Sequence, residues 1–202
     1  MMNNVLHSNP LLLEYAHRYI QRFMSITMDE LKDLLSYCEI RQFDKRTIIV
    51  REGEVDNYLN MVVKGLVMKY IKVKKNDMIL QLATEGHVID SEISFLTRSP
   101  SLVYIETFEP TILVSLNYDK MEEALDKFPQ GERLGRLILN GMYVKKEESR
   151  YNRLLKSPRE RFLEYVAAHP HMLQRVPQKY LASYLNIKPE TFSRMKHLVA
   201  KR

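Results

Sequence analysis

The sequence is poor in cysteine, with one residue, Cys38, in 202. No disulfide can close within a single chain, which excludes a secreted scaffold stapled by disulfides. A cysteine-based zinc site or an iron–sulfur cluster held by one chain is excluded as well, because each needs several thiolates. Cys38 is therefore expected to behave as a small buried hydrophobe rather than a redox thiol. No apolar run approaches the ~20 residues that span a bilayer. The opening Met1-Met2-Asn3-Asn4-Val5-Leu6-His7 lacks the basic stretch and long apolar core of a signal peptide. These absences give a cytoplasmic location, with no membrane partner, as the expectation. There is no P-loop, no dinucleotide glycine fingerprint, no nucleophile elbow and no metalloprotease helix. His7, His17, His87, His169, His171 and His197 show no metal spacing, and the carboxylate pairs Glu122-Glu123 and Glu147-Glu148 fall on expected helix surfaces. An enzyme is not expected, nor a metal or cofactor.

The composition is that of an ordinary folded chain, 45% apolar and 28% charged. The net charge of +6 becomes informative once divided. Residues 1–130 carry 15 Lys and Arg against 19 Asp and Glu, a net −4, whereas residues 131–202 carry 16 against 6, a net +10. A basic surplus confined to one end points to a polyanion partner for that end. A solvated basic surface would look the same.

Hydrophobic periodicity divides the chain. Leu12, Tyr15, Tyr19 and Phe23 recur at helical spacing, and Thr27-Met28-Asp29-Glu30 opens a second helix. From about Glu39 the pattern becomes short β-branched and aromatic runs, among them Thr47–Val50, Tyr58–Val63, Leu66–Ile71, Met78–Leu82 and Leu102–Ile105. Strands at such intervals indicate a sandwich or barrel. Lys64-Gly65 reads as a two-residue hairpin and Lys75-Asn76-Asp77 as another turn. Helical spacing returns over 118–125, is broken at Pro129-Gln130-Gly131, and resumes over about 132–156. There Leu134, Leu137, Gly141, Val144, Glu148, Tyr151 and Leu155 step alternately by three and four, a heptad seam that suits a parallel dimer contact. An amphipathic helix packed on its own domain is the alternative. Ser157-Pro158-Arg159-Glu160 starts a further helix with a capping signature.

The expected architecture is α+β: an N-terminal jelly-roll sensor domain with leading helices over 1–130, a dimerisation helix over 131–156, and a helix-turn-helix domain over 157–202. The last of these rests on one stretch. A helix from about Gln178 to Leu185 carries the small Ala182; Asn186 tolerates the positive φ wanted in the turn; Ile187 plugs the turn; and Pro189 suits the first turn of the next helix. Phe192, Met195, Leu198 and Val199 form an inner stripe. Lys188, Glu190, Thr191, Ser193, Arg194, Lys196 and His197 form the outer face. Arg can donate twice to guanine, Glu can accept from cytosine N4, and Thr can meet a thymine methyl. Gln178, Lys179, Ser193 and Lys196 suit phosphate oxygens. Double-stranded DNA is the expected partner.

These residues carry a family resemblance. The pattern Leu181-Ala182, Leu185, Glu190-Thr191 and Ser193-Arg194 resembles the helix-turn-helix of the cyclic-AMP receptor protein/Fnr (Crp/Fnr) regulators. Arg51-Glu52-Gly53-Glu54, Val62-Val63-Lys64-Gly65 and Gly86-His87-Val88-Ile89-Asp90-Ser91-Glu92-Ile93 resemble successive parts of that family's nucleotide-binding β-roll, the last its phosphate-binding cassette. The resemblance runs from about residue 25 to the end. It implies a homodimeric regulator reading a palindromic operator, with RNA polymerase as a further partner. Glu190 and Arg194 match base-reading positions, while Pro189 stands where the family often has Arg, so a different operator is expected. The chain stops at Arg202, so the family's C-terminal β-wing is expected to be absent and the salt dependence of binding shallower.

The resemblance also implies an effector pocket at Ser91, Glu92, Arg98, Ser101 and Leu102. Glu92 matches the acid for the ribose hydroxyl, although it could equally be a structural acid. The Arg-Ser/Thr pair expected for the cyclic phosphate falls at Ser101-Leu102, and Leu102 offers no hydroxyl. Cyclic AMP is therefore not expected to be the effector. A small-ligand β-roll whose helical tail contacts protein is the competing reading.

Overall fold

The computed structural model describes residues 9–74 and 76–199, the last three by their backbone alone. The elements follow in the order α1 (Pro10–Gln21), α2 (Met28–Leu35), β1 (Cys38–Phe43), β2 (Ile48–Val50), β3 (Tyr58–Lys64), β4 (Val67–Val73), β5 (Asn76–Ala83), β6 (Val88–Ile89), α3 (Glu92–Thr97), β7 (Tyr104–Thr107), β8 (Thr111–Asn117), α4 (Tyr118–Lys127), α5 (Gly131–Leu155), α6 (Pro158–Ala168), α7 (Met172–Arg175), α8 (Gln178–Tyr184) and α9 (Pro189–Val199). They fall into two compact units. One runs to Tyr70 and resumes over Leu82–Gly141; the other joins Ile71–Gln81 to the residues from Met142 onward.

Local chemistry starts the helices where the sequence suggests. Thr27 and Ser157 each accept a hydrogen bond from the backbone N–H three residues on, while Glu30 and Glu160 reach back to the cap's own N–H. Asn9 and Asn117 cap α1 and α4 with their side chains.

The strands form two four-stranded sheets, in the orders β1-β8-β3-β6 and β2-β7-β4-β5. The period of two along a strand divides its side chains between two cores. Val62 and Leu113 join Val50, Val67, Ala83, Ile89 and Ile105 in the apolar core that both sheets share. Their neighbours Val63 and Val114 instead meet Leu12, Ala16, Leu31, Leu35, Phe128 and Leu134 of the helices. This is the jelly-roll with leading helices that the strand spacing implies.

One expected turn is corrected. Lys64-Gly65 does not close a hairpin, because β3 pairs with β8 and β6 whereas β4 lies between β7 and β5 in the other sheet. The chain switches sheets here. Gly65 has φ of 104°, and a Cβ on it would stand 2.6 Å from Thr111 Oγ1 and 2.7 Å from the Pro110 carbonyl. A glycine at a tight reversal looks the same in sequence whether the next strand stays in the sheet or leaves it. The second expected turn does join neighbouring strands, β4 and β5, with Lys74 at a φ of 57°; Lys75 lies outside the described residues.

The second unit is built around an aromatic pair. Phe162 of α6 and Phe192 of α9, both fully buried, meet edge to face with centroids 5.1 Å apart. Leu181, Ala182, Leu185, Ile187 and Met195 are buried with them. Between α8 and α9, Asn186 takes a φ of 52°, and the Ile187 N–H donates to the Ala182 carbonyl at 2.8 Å.

Candidate functional sites

The first site is a polar cluster within the β-roll. Gly86, at a φ of 78°, turns the chain into the short β6, and α3 follows at once. Lys69 of β4 has a side chain only 7% exposed. Its ammonium donates to both carboxylate oxygens of Glu92 at 2.7 Å and to the Asp90 carbonyl at 3.0 Å. Asp56 is buried nearby, its carboxylate accepting from the backbone N–H of Ser91 at 2.7 Å and of Tyr58 at 3.1 Å. Burial pushes the Asp56 carboxyl above its ordinary range, against the pull of those two hydrogen bonds and of Arg41 and Lys69. Burial, with the charges of Glu92 and Asp56, pushes Asp90 further, to about 7, although Lys69 draws it down.

Of the residues expected in an effector pocket, Ser91, Glu92 and Ser101 lie in the cluster, Arg98 meets its edge at Asp56, and only Leu102 faces solvent. Ser91 and Ser101 are buried and hydrogen-bonded to each other at 2.9 Å, and Glu92 follows Ser91. Arg98 instead donates to the Asp56 carbonyl at 2.8 Å and to the Asn57 side chain, and lies over the Tyr118 ring at 4.3 Å. Leu102 is 66% exposed. Sequence reasoning missed Lys69, Asp56 and Asp90. A lone lysine inside the otherwise apolar run Leu66–Ile71 was the available signal.

Several of the groups expected to meet a cyclic nucleotide are engaged within the chain. The cluster holds three carboxyls, those of Asp56, Asp90 and Glu92, with the Lys69 ammonium among them and Arg41 near enough to act on Asp56. The oxygens of Glu92 that would meet a ribose hydroxyl already bind Lys69. The Ser101 hydroxyl is taken up by Ser91 and the Val103 carbonyl. Arg98 is committed to backbone and amide acceptors.

The second site is the outer face of α9. Lys188, Glu190, Ser193, Arg194 and Lys196 are exposed, and Thr191 is half-buried. Arg194 reaches the Thr191 hydroxyl at 3.5 Å, so the two share one face. The His197, Leu198 and Val199 side chains lie outside the described residues. On α8, Gln178 is half-buried and Lys179 exposed, its ammonium 4.6 Å from the Tyr180 ring centroid. Arg161 of α6, which sequence reasoning did not single out, donates to the carbonyls of Leu185 and Asn186 at 3.1 Å and of Lys156 at 2.6 Å. It holds the turn before α9 by satisfying carbonyls at a helix end.

The seam expected along α5 is divided. Leu134 is buried in the chain's own core. A Cβ on Gly141 would stand 2.5 Å from the Phe23 ring, so its close approach is to α1 of the same chain. Those two are corrected as seam residues, because alternating spacing marks an apolar stripe without saying what covers it. Leu137 is half-buried, and Val144, Glu148, Tyr151 and Leu155 are exposed, together with Tyr143 and Leu154.

Residues 40–128 match the family model of the cyclic nucleotide-binding domain. The chain is similar in fold to the catabolite activator protein of Thermus thermophilus, at 20% identity over 89% of this chain and 86% of that one, TM-score 0.57. It is also similar to FixK2 of Bradyrhizobium japonicum, at 20% identity over 81% and 85%, TM-score 0.66. The c-di-GMP responsive global regulator CLP of Xanthomonas campestris aligns at 16% identity over 87% and 93%, TM-score 0.62. No curated protein matches the sequence. The roll thus falls in the class of cyclic nucleotide-binding domains. Beyond the roll, the chain is similar in fold to these regulators. No helix among the described residues is long and apolar enough to cross a membrane.

Proposed function

We propose that the chain is a sequence-specific, DNA-binding transcription regulator without enzymatic activity, in which α8 and α9 act as a helix-turn-helix and α9 reads the major groove. The observation that carries this reading is the division of α9 into two faces. Phe192 and Met195 are locked into the core of the unit, while Glu190, Ser193, Arg194 and Lys196 point to solvent on a segment whose turn is fixed by Asn186 and Arg161. That arrangement presents hydrogen-bonding groups on a rigid element, as direct readout requires. The net +10 of residues 131–202 supplies the attraction to phosphate.

The reading includes a homodimer joined along the exposed half of α5, so that two copies of α9 would meet half-sites one helical turn apart. It does not include cyclic AMP as effector, because both oxygens of Glu92, the acid expected to meet a ribose hydroxyl, already bind Lys69.

The test is footprinting of bound genomic fragments, followed by Arg194→Ala on the fragment recovered. The variant should lose discrimination at one guanine by ~1–3 kcal/mol while keeping weak non-specific binding. Equal weakening on every sequence would mean that Arg194 touches only phosphate.

A further inference from the structure

Ser183 of α8 binds a segment about a hundred positions earlier in the chain. Its hydroxyl accepts from the Ile79 N–H at 2.9 Å and donates to the Asp77 carbonyl at 3.1 Å. Ile79 is buried, and Ile71–Gln81, the outer ends of β4 and β5 with their turn, belongs to the same compact unit as α6–α9. The hairpin end is thus built into the helical unit. It is also basic: Ile71–Gln81 holds Lys72, Lys74 and Lys75 against the single acid Asp77. Lys72 and Lys74 are exposed. Residues four apart on a helix share a face, so the hairpin is fastened to the side of α8 that carries Lys179. The outer face of α9 stays open, with Glu190, Ser193, Arg194 and Lys196 exposed.

We infer that the β4–β5 hairpin end is a second DNA-contacting element, clipped to α8 through Ser183 and offering Lys72 and Lys74 to backbone phosphates beside the groove that α9 enters. The partner chemistry is the sugar–phosphate backbone rather than base edges, since both side chains are ammonium groups on a strand end. Such contacts add affinity and salt dependence without sequence preference. The inference rests on the DNA-binding reading of α8 and α9.

The experiment compares the full-length protein with Lys72→Gln/Lys74→Gln and with Ser183→Ala on the footprinted fragment, at graded salt. Both lysines are exposed, and thermal unfolding of the double variant checks that it folds as the parent does. Its binding should weaken equally on specific and non-specific DNA, and the slope of log K against log salt should become shallower by about 0.9 per lost contact. Ser183→Ala should leave the lysines in place but speed hydrogen exchange at the Ile79 amide and weaken binding in the same sequence-independent way. Unchanged affinity and slope in the lysine variant would overturn the hairpin's role and leave the function of α9 intact. Tighter binding by Ser183→Ala would overturn it in the other direction, showing that the clip restrains the unit. If the parent binds no DNA at low salt, both readings fail together.

Discussion

Lys69 and Glu92 form a two-pronged ion pair, both carboxylate oxygens lying 2.7 Å from the one ammonium. Glu92 is the residue that the sequence resemblance matches to an acid for a ribose hydroxyl. Lys69 is nearly enclosed, while the Glu92 side chain is 46% exposed, so water takes up part of the loss when the pair is broken. Lys69→Met should destabilise the roll by about 1–2 kcal/mol. Adding Glu92→Gln should cost less than the sum of the two single changes. Urea unfolding of the three variants measures this; strict additivity would show that the two groups do not interact. Calorimetry with cyclic AMP should show no micromolar binding to the parent, and such binding would show that Lys69 does not withhold Glu92 from a ligand.

Asp90 makes the roll sensitive to pH. Its carboxyl is raised from 3.8 to about 7, by burial first and then by Glu92 and Asp56, with Lys69 opposing. A folded-state value above the unfolded one means that the folded chain holds the proton longer. The associated stability is complete below about 3.8, erodes as pH rises, and is gone once Asp90 ionises in the fold near 7. Asp90→Asn should flatten that part of the stability–pH curve, read by thermal unfolding between pH 4 and pH 8. A variant curve parallel to the parent's would rule Asp90 out as the source.

Cys38 should be inert. Burial pushes its thiol up to about 12, so almost no thiolate exists at neutral pH. The residue is half-buried by its surface, with its sulfur turned inward, 4.0 Å from the Leu34 carbonyl of α2. Labelling with a thiol reagent should be slow in the folded protein and rapid in denaturant. Fast labelling of the native chain would contradict the burial.

The exposed half of α5 carries the dimer prediction. Val144 and Tyr151 are more than half exposed in one copy, and Leu154 and Leu155 more so. Val144→Glu/Tyr151→Glu would place four like charges in a symmetric helix pair and should give a monomer by sedimentation, with helix content retained. A dimer that persists would move the interface elsewhere.

Features set by neighbours in sequence were legible without a fold. The capping residues Thr27 and Ser157, the break at Pro129-Gln130-Gly131, the positive φ at Asn186 and the two faces of α9 each depend on a few adjacent side chains and on helix geometry. The β-roll was legible as a class, because alternation and spacing of short strands report burial on one side. What joins distant segments was not. Gly65 reads as a hairpin residue, yet the chain leaves the sheet there. Leu134 and Val144 share one stripe, yet one lies in the chain's own core and the other lies open.

By itself, then, the sequence determined most of the longer helices, the β character of the middle of the chain and which end is basic, since those follow from local sterics, periodicity and charge count. Only the tertiary structure decided that Lys69 meets Glu92, that Arg161 holds the turn before α9, and that Ser183 grips Ile79 and Asp77. Each of these contacts unites residues whose separation in sequence carries no information about their separation in space, and each is fixed by packing that neither residue specifies alone.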